Sequence, residues 1–190
     1  MAASYDVAAI VGSLRRDSLT RRLVRAFEGL APASLKIEIV EIRDLQLYDQ
    51  DLEAAPPQAW VSFRARVKRA DAVLFATPEY NRSVPGVLKN AIDVGSRPYG
   101  SSVWSGKPAA VVSVSPGALG AFGANHHLRQ ALVFLDMPTM QQPEAYIGHA
   151  DKLFDAAGNL INPATREFAQ KFLAALAAWV ERQKRASPRG

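Results

Sequence analysis

Short apolar runs rich in Val and Ile alternate along this chain with longer stretches whose apolar residues recur every three or four positions. The runs Val7–Val11, Leu35–Val40, Ala72–Thr77 and Ala109–Val114 read as buried strands, and a weaker one at Pro138–Gln142 reads as a fifth. Between the first two, Leu19, Leu23, Ala26, Phe27 and Leu30 form one face of a helix, opposite Arg21, Arg22 and Arg25. Trp60, Phe63 and Val67 mark a second helix, entered after Pro56-Pro57. Val87, Leu88, Ala91 and Ile92 mark a third, and Leu128, Leu132 and Leu135 a fourth. The last is the longest. It starts near Pro163 and carries Phe168, Phe172, Leu173, Leu176, Trp179 and Val180 on its inner face, a spacing that means core rather than a cofactor box.

Strands and helices in strict alternation predict an α/β fold: a doubly wound parallel sheet with helices on both faces. Five strands in a chain of 190 residues favour the flavodoxin-like order 2-1-3-4-5 over a six-stranded dinucleotide fold. Ligands then bind beyond the carboxyl ends of the strands, at the point where the strand order reverses, so the loops after strands one, three and four carry the candidate chemistry.

Composition narrows that chemistry. A chain of this length buries enough surface for one core without disulfide or metal staples, and it contains no Cys. Thiol catalysis, thiolate metal sites and CxxC redox chemistry are thereby excluded, so a redox function must use a bound cofactor. The histidines, His126-His127 and a distant His149, lack the spacing of a metal site. Lys and Arg exceed Asp and Glu by 23 to 18. The excess concentrates at Arg15, Arg16, Arg21, Arg22 and Arg25 and in the last ten residues, so it does not mark a nucleic-acid surface. A cleavable leader is not evident and no apolar run approaches the ~18 residues that cross a membrane, which places the expected site of action in the cytoplasm.

The loop after the first strand is Gly12-Ser13-Leu14-Arg15-Arg16-Asp17-Ser18. Hydroxyls at Ser13 and Ser18, a guanidinium at Arg15 and the amides of a helix N-terminus form a phosphate cradle by composition. It matches neither GxGxxG nor GxxxxGK[ST], which favours a monophosphate. An N-cap serine and a surface arginine would leave the same trace in sequence. After the third strand, Pro78-Glu79-Tyr80-Asn81-Arg82-Ser83-Val84-Pro85 is held irregular by its prolines and is expected to need outside partners for its amides. A flat heterocycle with a polar edge would meet Tyr80 and Asn81 there. After the fourth strand, Ser115-Pro116-Gly117-Ala118-Leu119-Gly120-Ala121 permits close approach of backbone to ligand. Arg16, Arg21 and Arg82 read first as solvated charge, with attraction of a nucleotide phosphate as the alternative.

These segments resemble the NADPH-dependent FMN reductase family, including its chromate- and quinone-reducing members. The resemblance rests on Gly-Ser-Leu-Arg-x-x-Ser at 12–18, Pro-Glu-Tyr-Asn-x-Ser-x-Pro-Gly-x-Leu-Lys-Asn-Ala-Ile-Asp at 78–93, and Ser-x-Gly-x-x-Gly at 115–120 followed by Leu128-Arg129-Gln130. It implies one flavodoxin-like FMN-binding domain over residues 1–182, followed by a basic, frayed tail at 183–190. It also implies that Ser13, Arg15 and Ser18 bind the FMN phosphate, that Pro78, Glu79, Tyr80 and Asn81 line the isoalloxazine, and that Ser115 and Gly117 approach it. No catalytic side chain is then required, because FMN carries the hydride chemistry. The implied reaction moves a hydride from NADPH or NADH through FMN to a quinone, azo compound, chromate or free flavin, in a homodimer or homotetramer. A one-electron carrier and a non-catalytic flavin-binding regulator are the alternatives. The basic charge opposes the first, whose surface is normally acidic.

Overall fold

A computed structural model describes residues 4–186. Its strands β1 (Tyr5–Val11), β2 (Leu35–Val40), β3 (Ala72–Thr77), β4 (Ala109–Val114) and β5 (Ala145–Ile147) form one parallel sheet in the order 2-1-3-4-5. Helices α1 (Leu19–Leu30), α2 (Gln58–Arg69), α3 (Gly86–Gly95), α4 (Phe122–Phe134) and α5 (Pro163–Ala186) alternate with them. α1 and α5 pack on one face, against Val7, Ala9 and Val11 of β1, while α2, α3 and α4 cover the other, against Ala8 and Ile10. Covering both faces explains why β1 and β3 read as unbroken apolar runs rather than as alternating ones. No helix among the described residues is long and apolar enough to cross a membrane.

Two expectations need correction. The fifth strand is Ala145–Ile147, paired with Val112–Val114, and not Pro138–Gln142. The earlier segment touches β4 through one bridge, Ala109 to Thr139, where the Met140 N–H donates to the Ala109 carbonyl. Pro138 and Pro143 have no N–H to continue the ladder. The second correction concerns the basic C-terminus. α5 runs through Ala186, four residues past the expected boundary at 182, and the Lys184 ammonium lies 2.7 Å from the Asp71 carboxylate at the foot of β3. The remainder of the expected tail, 187–190, falls outside the described residues.

Register sets the site. β3 is the central strand, with Val11 of β1 beside Ala76 and Ser113 of β4 beside Thr77. The loops leaving β1, β3 and β4 therefore emerge side by side from one edge of the sheet, at the reversal of strand order.

Candidate functional site

All nine residues singled out from the sequence lie on these three loops: Ser13, Arg15 and Ser18 on the first, Pro78, Glu79, Tyr80 and Asn81 on the second, Ser115 and Gly117 on the third. Contacts between loops fix their mutual positions. A Cβ built on Gly12 would lie 3.0 Å from a Leu88 methyl and 3.3 Å from the Pro78 ring, so a bare backbone is what lets the first loop lie against the second.

The first loop is held from outside and open inside. Arg43, on the segment after β2, donates to the Leu14 carbonyl, and Glu41 grips Arg21 of α1 through two bonds of 2.6 and 2.7 Å. Neither clamp is legible in the sequence, since both span more than a helical turn. Ser18 is buried and N-caps α1, its hydroxyl oxygen accepting from the Arg21 N–H at 3.1 Å. Among the described residues, the backbone N–H groups of Ser13 through Ser18 donate to no protein group. Those unpaired amides, the Ser13 and Ser18 hydroxyls and the exposed Arg15 guanidinium are the donor set a phosphate monoester requires at a helix N-terminus. The residues present fit the FMN phosphate.

The second loop departs from expectation. Its amides are not all left for a ligand: Tyr80 and Ser83 exchange two backbone hydrogen bonds of 3.0 Å, closing a tight turn. Asn81 and Arg82 at its centre have φ of 52° and 65°, the left-handed geometry that such a turn demands and that Asn tolerates well. Tyr80 is half-exposed, so its ring is free to meet a ligand. The Glu79 side chain turns elsewhere. Its carboxylate accepts from the Ala124 N–H at 2.9 Å, in the first turn of α4. The residue at the N-cap of α4, Ala121, offers no side-chain acceptor, so Glu79 supplies from a neighbouring loop what the helix lacks.

The third loop is pinned at both ends. The Ser115 N–H donates to the Ile147 carbonyl, and the Ser115 hydroxyl accepts from the Gly117 N–H at 3.0 Å. At the far end, Gly120 has φ +57°, and a Cβ there would sit 2.6 Å from the Tyr146 carbonyl carbon. Beside this end Phe122, His126 and Tyr146 pack together, with the Tyr146 hydroxyl 2.8 Å from His126 Nε2. Burial and the neighbouring Glu144 push the Tyr146 phenol up to about 12, so near neutrality it remains a neutral hydroxyl able to donate.

A five-stranded 2-1-3-4-5 sheet, with unpaired amides at a helix N-terminus after β1 and two further loops beside it after β3 and β4, defines a protein of the flavodoxin-like class. A sequence profile of the NADPH-dependent FMN reductases matches residues 5–152, and the chain belongs to that family. It is similar to a quinone reductase of Pseudomonas putida, 64% identical over 95% of this chain and 97% of the relative. A 2-hydroxy-1,4-benzoquinone reductase from a Burkholderia species is 46% identical over 93% and 97% of the two chains. Among solved structures, the flavoenzyme NAD(P)H:(acceptor) oxidoreductase FerB from Paracoccus denitrificans superposes with a TM-score of 0.89 at 42% identity, covering 94% of this chain and 98% of that one. The protein is thus an NAD(P)H-dependent oxidoreductase whose cofactor is FMN.

Proposed function

We propose that this enzyme reduces quinones, with FMN seated across the three loops. Bound FMN supplies acceptance of a hydride from NAD(P)H and delivery of two electrons to the quinone, which takes up two protons to leave as hydroquinone. The residues supply the rest. Ser13, Arg15, Ser18 and the amides between them bind the phosphate. Pro78, Tyr80 and Asn81 line the ring, Ser115 and Gly117 approach it, and Glu79 acts through its hold on α4. With Tyr80 half-exposed, donor and acceptor use the same side of the ring in turn, which predicts ping-pong kinetics. The observation that carries this reading is the run of unpartnered amides at the N-terminus of α1, beside two loops held by their own hydrogen bonds.

Two further elements belong to the proposal. One is action in the cytoplasm. The other is a homodimer, or a tetramer made of two dimers, formed through the apolar edge between α3 and α4, where Tyr99, Val133 and Phe134 are 89%, 78% and 88% exposed.

The test is the absorption spectrum of purified protein, recorded before and after anaerobic NADPH or NADH and again after a benzoquinone. A flavin band that bleaches with the nucleotide and returns with the quinone is the expected result. A protein that neither carries nor binds FMN overturns the proposal. A flavin that reoxidises with azo dye or free flavin but not with quinone overturns the acceptor assignment.

A further inference from the structure

Beneath the third loop lies a buried polar chain for which fold and reaction have so far given no purpose. Ser113, at the end of β4, and Asn125, in the first turn of α4, are both 0% exposed. Arg129, one turn further along α4, donates from Nε to the Asn125 side-chain oxygen at 3.0 Å and from Nη1 to the Met140 carbonyl at 3.0 Å. A guanidinium can only donate. It therefore forces the Asn125 oxygen towards itself and the Asn125 amide nitrogen away, onto the Ser113 oxygen at 3.1 Å and the Ala145 carbonyl at 3.4 Å. With its oxygen engaged as an acceptor, Ser113 has one proton to place, and it donates to the Gly120 carbonyl at 2.7 Å. The more distant Ala145 carbonyl, at 3.3 Å, is the lesser partner. One bond from each of Arg129, Asn125 and Ser113 thus runs in a line that ends at the loop, because Arg129 fixes the orientation of Asn125 at the other end.

The residue that follows the receiving carbonyl is strained. Gly120 and Ala121 are both in the left-handed region, at φ of 57° and 61°, and Ala121 is not a residue that adopts it freely. The Gly120 and Phe122 N–H groups close local turns onto the Gly117 and Leu119 carbonyls, and the buried chain of hydrogen bonds adds a side-chain hold on the Gly120 carbonyl itself.

We infer that Ser113, Asn125 and Arg129 are positioning residues that hold the Ser115–Ala121 loop in its flavin-ready conformation through the Gly120 carbonyl. None of them touches cofactor or substrate. This inference rests on the reading that the loop approaches the isoalloxazine. Its consequence is that FMN affinity, rather than the chemistry of saturated enzyme, depends on a hydroxyl buried under the loop.

The experiment compares Ser113→Ala, which deletes the hydroxyl, with Ser113→Thr, which restores it. Arg129→Lys stands beside them as a milder cut at the partly exposed end, informative even where Ser113→Ala does not fold. Hydrogen exchange across 115–122 is measured in the apoprotein, and FMN affinity is measured by titration. The expected result is faster loop exchange and an FMN Kd raised roughly 5- to 50-fold in Ser113→Ala, since a buried acceptor and a buried donor both lose a partner. Ser113→Thr recovers most of the affinity, Arg129→Lys falls between, and kcat at saturating FMN stays near wild type. A Kd unchanged in both Ser113→Ala and Arg129→Lys overturns the inference whatever the melting temperature does, as does a raised Kd without faster loop exchange. Arg15→Ala separates the two readings. If it weakens FMN and the relay variants do not, the cofactor site stands and the inference fails. If wild type binds no FMN, the site assignment fails with it.

Discussion

Ser18 and Arg15 sit three residues apart on one loop, yet their substitution has different consequences. The Ser18 oxygen caps α1, so Ser18→Ala removes about 1 kcal/mol of stability even without cofactor. Arg15 is exposed, and among the described residues its guanidinium makes no hydrogen bond or ion pair. Arg15→Ala is therefore expected to leave the apoprotein's melting temperature unchanged and to weaken FMN by about 1.5–3 kcal/mol, the range for a hydrogen bond to a charged group. Thermal unfolding and flavin titration of both variants check this. An Arg15→Ala protein of lower stability and intact affinity would mean the guanidinium serves the fold instead of the phosphate. The residue types of the cradle were legible because a helix start and an anion site need the same donors. Glu79 was not legible in the same way: its partner, the Ala124 amide, lies 45 residues away, and sequence spacing holds no trace of a cap supplied by another loop. The relay had only a partial signal, Arg129 within a family motif, with nothing to tie it to Ser113 or Asn125.

Elements long enough to show their period were read correctly, and the short one was not. β1, β3 and β4 follow from burial on both faces of the sheet, β2 from alternation at the sheet edge, and the five helices from one buried face each. β5 has three residues, too few for any period, and a nearby apolar stretch with one bridge to β4 took its place in the sequence reading. At the C-terminus, charge suggested fraying because a sequence does not disclose a partner such as Asp71. Burial alone would raise the Asp71 carboxyl, but the Lys184 ammonium, the Asp6 N–H and nearby Lys107 outweigh it and hold the group below the usual aspartate range. A carboxyl lowered in the folded state stabilises above its unfolded value, near pH 4, and the contribution is lost as pH falls through the folded one. Lys184→Ala is thus expected to cost at most about 1 kcal/mol at neutral pH, because the pair is partly exposed. The difference should be smaller in acid, once the carboxyl is protonated in the folded state, than at neutral pH. Urea unfolding at both pH values measures it, and a cost that persists in acid would assign the effect to packing of the α5 end.

At the scale of the whole molecule, the question is what covers its apolar edge. Tyr99, Val133 and Phe134 stand largely in solvent, and Phe134 lines two adjoining depressions of about 400 and 420 Å3. Three such side chains supply a few hundred Å2, whereas a stable interface needs roughly 800 Å2 from each partner. The depressions, lined by Tyr48, Ile92, Arg97 and Leu135 among others, enlarge the available footprint towards that figure. Phe134 ends α4, and the cofactor loops meet the start of the same helix, about 18 Å away at 1.5 Å per residue. A charge placed at 134 should consequently break a dimer and spare the flavin site. Phe134→Glu is expected to sediment as a monomer at micromolar concentration with its FMN affinity intact, while wild type sediments as a dimer or tetramer. A wild type that is monomeric there removes the assembly altogether. A Phe134→Glu protein that remains dimeric moves the interface to another face, and a loss of FMN on dissociation would mean that the second copy completes the site.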